Sequence, residues 1–165
     1  MTGVLSPDLY LRSVHDIDLD ALKAQGVDTL LMDLDNTLLP RDSGVMSEDV
    51  KEWSAGLAGR GFKVCLVSNN WHERVKTVAD GLGFLLVAKA VKPLPFAFLK
   101  ALKITGSSRR QAVVVGDQIF TDVLGGKLVG IKTVLVAPLS ESDLPHTLLL
   151  RKLERVLLAG REPSP

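Results

Sequence analysis

Seven polar side chains stand directly after apolar segments of this chain, and their types suit one kind of chemistry. They are Asp33 and Asp35, Ser68 and Asn69, Lys92, and Asp117 with Asp122. Three or more carboxylates brought together repel one another, and a bound hard cation is the usual remedy. Mg²⁺ is held by one or two carboxylates together with substrate phosphate oxygens, so a phosphate-bearing partner follows from the acids themselves. A serine hydroxyl and a lysine ammonium from neighbouring loops suit the remaining phosphate oxygens. Residue types and placement thus describe a metal-assisted phosphoryl-transfer site.

For these groups to meet, the segments before them must be neighbouring strands with their carboxyl ends together, where open parallel sheets bind ligands. Five short runs rich in Val and Leu fit that role, at 27–32, 63–67, 84–87, 112–115 and 132–136. Their near-continuous apolarity predicts a parallel sheet covered on both faces. Helical patterns fill the intervals. Ser47 precedes Glu48 and Asp49 as an N-cap signal, and Val50, Trp53 and Leu57 share a face before Gly59 or Gly61. Val75, Val78, Ala79 and Leu82 form a second stripe, ended by Gly83. Pro95 suits a first helical turn, with Phe96, Leu99 and Leu102 as its apolar stripe and Gly106 as its stop. Short helices are expected near 18–25 and 121–129, the latter weakened by Gly125-Gly126, and a last one near 148–158.

The 165 residues fit one domain, with a core over about 27–160, and are too few for two ordinary ones. An apolar fraction of 46% with 24% charged residues excludes a disordered chain. The net charge of +1 gives no footprint for nucleic acid and no polybasic face for anionic lipid. A single cysteine forms no internal disulfide or thiolate cluster, and the N-terminus has no signal-peptide pattern. No apolar run reaches the roughly 18 residues of a membrane span, so the expected location is cytoplasmic.

The motifs resemble those of the haloacid dehalogenase (HAD) superfamily of phosphohydrolases. The resemblance is carried by Asp33-Leu34-Asp35-Asn36-Thr37, Ser68, Lys92-Pro93 and Gly116-Asp117-Gln118-Ile119-Phe120-Thr121-Asp122, in order, across about 27–137. Ser13-Val14-His15-Asp16-Ile17-Asp18, the Asp-Leu-Asp-Asn-Thr wording and Ser68-Asn69-Asn70 are similar to the YqeG-type branch within subfamily IIIA. The resemblance implies a three-layer, Rossmann-like α/β fold with a five-stranded parallel sheet. It implies Asp33 as nucleophile, giving an aspartyl-phosphate, and Asp35 as acid and then base. Ser68 would bind phosphate oxygens with Asn69 as helper, and Lys92 would neutralise phosphate charge. Mg²⁺ would be held by Asp33, the Asp35 backbone carbonyl and Asp117, with Asp122 a ligand or a group acting through water.

Only 35 positions separate Asp33 from Ser68, and 24 separate Ser68 from Lys92. Neither interval houses a cap domain, so the site is expected to be open, with 38–46 as its only flap. An open site favours a bulky substrate or a covering partner. YqeG-type relatives include phosphatidylglycerophosphate phosphatases. That lipid is one candidate substrate; a soluble sugar, a nucleotide or a phosphoprotein is another. A catalytically idle interaction module is the alternative from a different class. Cys65 reads as a buried apolar residue, and His15, His72 and His146 are too scattered for a metal site. Trp71 and His72 read as helix-start packing before a substrate-mouth role. Leu148, Leu149, Leu150, Leu153, Val156 and Leu157 read as a helix docked on the sheet, with peripheral membrane or subunit contact as the rival. Oligomeric state is not legible.

Overall fold

The computed structural model describes residues 3–141, 145–158 and 161–164, with the side chains of 145–149 and 151 outside that description. Six strands form one wholly parallel sheet: β1 (Leu9–Leu11), β2 (Thr29–Met32), β3 (Lys63–Val67), β4 (Leu85–Val87), β5 (Ala112–Gly116) and β6 (Lys132–Val136). Their spatial order is β1-β6-β5-β2-β3-β4. The expected strands are all present, and the expected count of five is corrected to six by β1. That strand escapes a pattern search because its three residues, Leu9–Leu11, stand between the charged Asp8 and Arg12 and form no Val- and Leu-rich run. It is held from outside its own sequence: Asp8 Oδ2 accepts from Thr133 N (2.7 Å) and Thr133 Oγ1 (3.2 Å), and Asp8 Oδ1 from Lys127 Nζ (2.6 Å).

Helices α1 (Leu19–Ala24), α2 (Glu48–Gly59) and α3 (Glu73–Leu82) share an apolar core with Leu30, Met32, Val64, Leu66, Val113 and Val115. On the other face α4 (Pro95–Thr105) packs on Leu31, Cys65, Val67, Val87 and Val114. Alternate residues of one strand thus feed opposite layers, as the two-residue period of a strand demands. Pro95 opens α4 at a first-turn position, and Gly83 and Gly106 close α3 and α4 in the left-handed conformation (φ 68° and 66°).

Two helical expectations need correction. The helix near 121–129 is a π-helical turn over Ile119–Val123 followed by α5 (Leu124–Leu128). Its glycines serve close packing: a Cβ on Gly125 would meet Phe98 Cε2 at 2.3 Å, and one on Gly126 would meet Thr133 Cγ2 at 2.7 Å. In α4 the buried face is Ala97, Phe98, Ala101 and Leu102, whereas Phe96 and Leu99 are exposed. The helix is apolar around most of its circumference, so periodicity picks the wrong stripe. The last helix, α6, runs Pro145–Leu157. Leu150 and Glu154 face the protein, Leu153, Val156 and Leu157 are exposed, and the expected packing of Leu148 and Leu149 lies outside the described residues. No described helix is long and apolar enough to cross a membrane.

Candidate active site

The chain order leaves β2 at the centre, continues to β3 and β4 on one side, then crosses back to place β5 on the other. The carboxyl ends of β2 and β5 therefore meet at the switch point of the sheet, where no crossover covers them. Asp33 follows β2 and Asp117 follows β5, and Asp33 N donates to Val115 O across the pair (2.9 Å).

From Asp33 the chain makes a tight loop that turns on Asn36, a non-glycine residue at φ 60°. Asparagine tolerates that region because its short polar side chain can bond locally. Asn36 Oδ1 accepts from Arg41 N (3.0 Å) and from Ser140 Oγ (2.7 Å), and Asn36 O accepts from Leu139 N (3.0 Å). Leu34, Leu38 and Leu39 are buried and pin the loop from below. Thr37 Oγ1 donates to Asp117 Oδ1 (3.3 Å), which joins the first motif to the last.

Lys92 is the hub of the site. Its ammonium lies 2.6 Å from Asp33 Oδ1 and 2.6 Å from Asp122 Oδ1, with only 3% of its side chain exposed. Its backbone N–H donates to Asn69 Oδ1 (2.7 Å), so Asn69 holds the lysine-bearing loop against the end of β3. One carboxylate oxygen from each of Asp33, Asp117 and Asp122 lies within 4.8 Å of the others. Burial pushes the Asp33 carboxyl well above the usual range; Lys92 opposes this, and Asp122 and Asp117 push it higher. For Lys92, burial disfavours the ammonium, but Asp122 and Asp33 outweigh it and hold the group above the ordinary lysine range. Three carboxylates face one ammonium, and this oxygen-rich, acid-surplus donor set fits a hard divalent cation.

Asp35 lies apart from this trio. Asn70 Nδ2 donates to its Oδ2, and Arg41 and Arg74 approach at 3.9 and 3.5 Å. Ser68 is buried at the end of β3, where its hydroxyl oxygen accepts from Asn70 N (3.1 Å). A cavity of about 500 Å³ opens over the cluster, lined by Asp33, Asp35, Asn69 and Lys92 among the expected residues. Arg41, Asn70 and Gln118 also line it and were not among the expected site residues. Asn70 had a signal, as the third residue of the Ser-Asn-Asn run; Arg41 had none beyond its closeness to the first motif. The last motif is anchored from α6. Buried Glu154 Oε1 accepts from Ile119 N (2.7 Å) and Phe120 N (3.3 Å), and Asp122 Oδ2 accepts from Gln118 N (3.2 Å). No sequence pattern links position 154 to that turn.

A parallel α/β sheet with acids and a lysine at its switch point is the architecture of a HAD-type phosphohydrolase, and comparison with known proteins gives the same class. The HAD-hydrolase-like family model matches residues 90–142, which include Lys92, Asp117 and Asp122. The probable phosphatase YqeG of Bacillus subtilis is 37% identical over 154 residues, spanning 93% of this chain and 90% of that protein. The chain belongs to the YqeG-type phosphatases of the HAD superfamily. Phosphatidylglycerophosphate phosphatase 1 of Arabidopsis thaliana is 25% identical over 93% of this chain, which spans only 46% of that protein. Among solved structures, a HAD phosphatase from Thermococcus onnurineus superposes with a TM-score of 0.51 at 26% identity, over 70% of this chain and 59% of that one. The deoxy-D-mannose-octulosonate 8-phosphate phosphatase of Haemophilus influenzae shares the fold, with a TM-score of 0.57 at 13% identity over 82% and 90% of the two chains.

Proposed function

We propose that this chain is a Mg²⁺-dependent phosphomonoester phosphatase acting through an aspartyl-phosphate on Asp33. The observation that carries the reading is the buried Asp33–Lys92–Asp122 cluster, with Asp117 beside it, under an accessible cavity. Asp33, Asp117 and the backbone carbonyl of Asp35 would hold the cation, with Asp122 as ligand or as partner of Lys92. The bound metal would supply positive charge to the phosphate oxygens and to the bond being broken.

In the first step an Asp33 carboxylate oxygen attacks phosphorus. The bond to the alcohol oxygen breaks, and Asp35 delivers a proton to that leaving oxygen. In the second step Asp35 takes a proton from water as the water oxygen attacks the aspartyl-phosphate. Inorganic phosphate leaves and Asp33 is restored. Asn70, Arg41 and Arg74 orient Asp35 between the two roles. Lys92 balances the charge of the phosphoryl group, and Ser68 and Asn69 serve its binding loop.

We read the chain as one unit without a cap domain, a reading supported by the short loops 33–47 and 88–94 around the cavity. An uncapped cavity suits a phosphate on a bulky body, and the likeness to a phosphatidylglycerophosphate phosphatase makes a lipid phosphate the favoured substrate, met by a cytoplasmic enzyme at the membrane surface. The test is hydrolysis of para-nitrophenyl phosphate with and without Mg²⁺, wild type beside Asp33→Asn. Metal-dependent release that falls to background in the variant is the expected result. Equal release from both proteins removes Asp33 as nucleophile.

A further inference from the structure

Four large apolar side chains that belong to no core stand together beside the cavity mouth: Phe96, Trp71, Val91 and Leu94, exposed by 73, 63, 61 and 48%. They come from two loops bound to each other and from the first turn of α4, which carries Phe96. Ala90 N donates to Ser68 O (3.0 Å), Lys89 N to Asn70 O (3.4 Å), and Lys92 N to Asn69 Oδ1 (2.7 Å). Leu94 N donates to Val91 O (3.0 Å), and the Lys89 ammonium sits 4.7 Å from the centre of the Trp71 ring. The same loops supply Asn69, Asn70, Lys92 and Pro93 to the cavity wall, so the apolar ridge is its rim. Val91 holds φ at 52°, which is rare for a β-branched residue, and still presents its side chain to solvent.

Exposed lysines flank the ridge. Residues 81–116 contain six Lys and Arg and no Asp or Glu, although the whole chain is nearly balanced at +1. The balance hides the asymmetry that a net-charge argument against anionic lipid overlooks. Lys89 on the ridge and Lys100, one turn behind Phe96, are exposed members of that set. Aromatic and aliphatic side chains flanked by Lys89 and Lys100 match the interface of a bilayer bearing anionic headgroups.

We infer that the ridge of Trp71, Val91, Leu94 and Phe96, with Lys89 and Lys100, docks the protein on an anionic bilayer and turns the cavity mouth toward headgroup phosphates. The inference rests on the phosphatase reading for what the surface serves; the docking itself is read independently of catalysis. Two loops and the first turn of α4 enter the interfacial zone and no described helix is long and apolar enough to cross it, so binding is reversible and falls as salt rises.

The experiment is flotation of the full chain with phosphatidylcholine vesicles, with and without phosphatidylglycerol, at low and high salt. The same preparations are assayed on para-nitrophenyl phosphate. Wild type floats with the anionic vesicles and less so at high salt. The double variant Val91→Ser/Phe96→Ser loses roughly tenfold or more in vesicle partition, because two apolar anchors are gone. Its hydrolysis of the soluble ester stays within about twofold of wild type, as expected for side chains outside the reacting groups. Lys89→Glu/Lys100→Glu loses the preference for phosphatidylglycerol. Wild type that stays out of the vesicle fraction overturns the proposal. So does a double variant that floats equally well, or a wild-type dimer that Val91→Ser/Phe96→Ser dissociates, which would give the ridge to a second copy of the chain. Failure of both proteins on the soluble ester counts against the phosphatase reading alone and leaves the flotation result standing.

Discussion

Between the end of β5 and the Asp122 carboxylate there is no room for a methyl group, since a Cβ on Gly116 would stand 2.2 Å from Asp122 Cγ. The glycine is what lets Asp122 turn back onto the strand end and reach Lys92. Gly116→Ala is expected to push Asp122 off the lysine and to cost about 1–3 kcal/mol through overpacking. Denaturant unfolding measures that cost, and a fall in kcat much larger than the change in KM shows that the cluster, more than the substrate cavity, was disturbed. At this scale the site was half legible. Asp33, Lys92, Asp117 and Asp122 announce themselves as charged residues ending apolar runs, and the structure brings these four together. Thr37, Arg41, Asn70 and Glu154 are ordinary polar residues whose partners lie 80, 6, 35 and 35 positions away. Their roles come from distances that only folding creates.

Elements that face both layers were readable because burial on two sides leaves a continuous apolar run, as in β3 and β5. β1 leaves no such record, because its three residues stand between the charged Asp8 and Arg12. β1 is specified by Asp8, whose carboxylate gathers Thr133 and Lys127 from the far end of the chain. Partial burial raises the Asp8 pKa, but the hydrogen bonds and charge of Lys127 and the bonds from Thr133 outweigh it, and the net shift is downward. A carboxylate with a depressed folded pKa adds stability above its unfolded value near 3.8, and that share is lost as pH falls through the folded value. Asp8→Asn is therefore expected to cost about 0.5–1 kcal/mol near neutrality, a modest figure because the group is partly solvated. The gap to wild type should close as unfolding curves are taken into the acid range. A constant gap at all pH values would assign the effect to packing alone. The misread stripe of α4 has a related cause: an almost wholly apolar helix carries no periodic contrast, and only the position of the sheet reveals that Phe96 faces outward.

For the whole molecule, folding gathers three acids and one lysine at the switch point and unfolding disperses them, so any cation held there would be linked to stability. Mg²⁺ is expected to raise Tm, by the equivalent of about 2.7 kcal/mol when it stands a hundredfold above its Kd. Chelation should reverse the shift, and Asp117→Asn should remove most of it while leaving the metal-free Tm unchanged or higher. Calorimetric scans with Mg²⁺ and with chelator check this, and an unaltered shift in Asp117→Asn would exclude that residue as a ligand. By itself the sequence determined the fold class, five of the six strands and the order of charged residues at their ends. Those features are written locally, as runs, spacings and breaks. The tertiary structure decided which loop holds Lys92, which strand closes the sheet beyond β6 and which face of α4 meets water. Those depend on pairings between distant segments, and side chains with identical local patterns receive different neighbours once the chain has crossed the sheet.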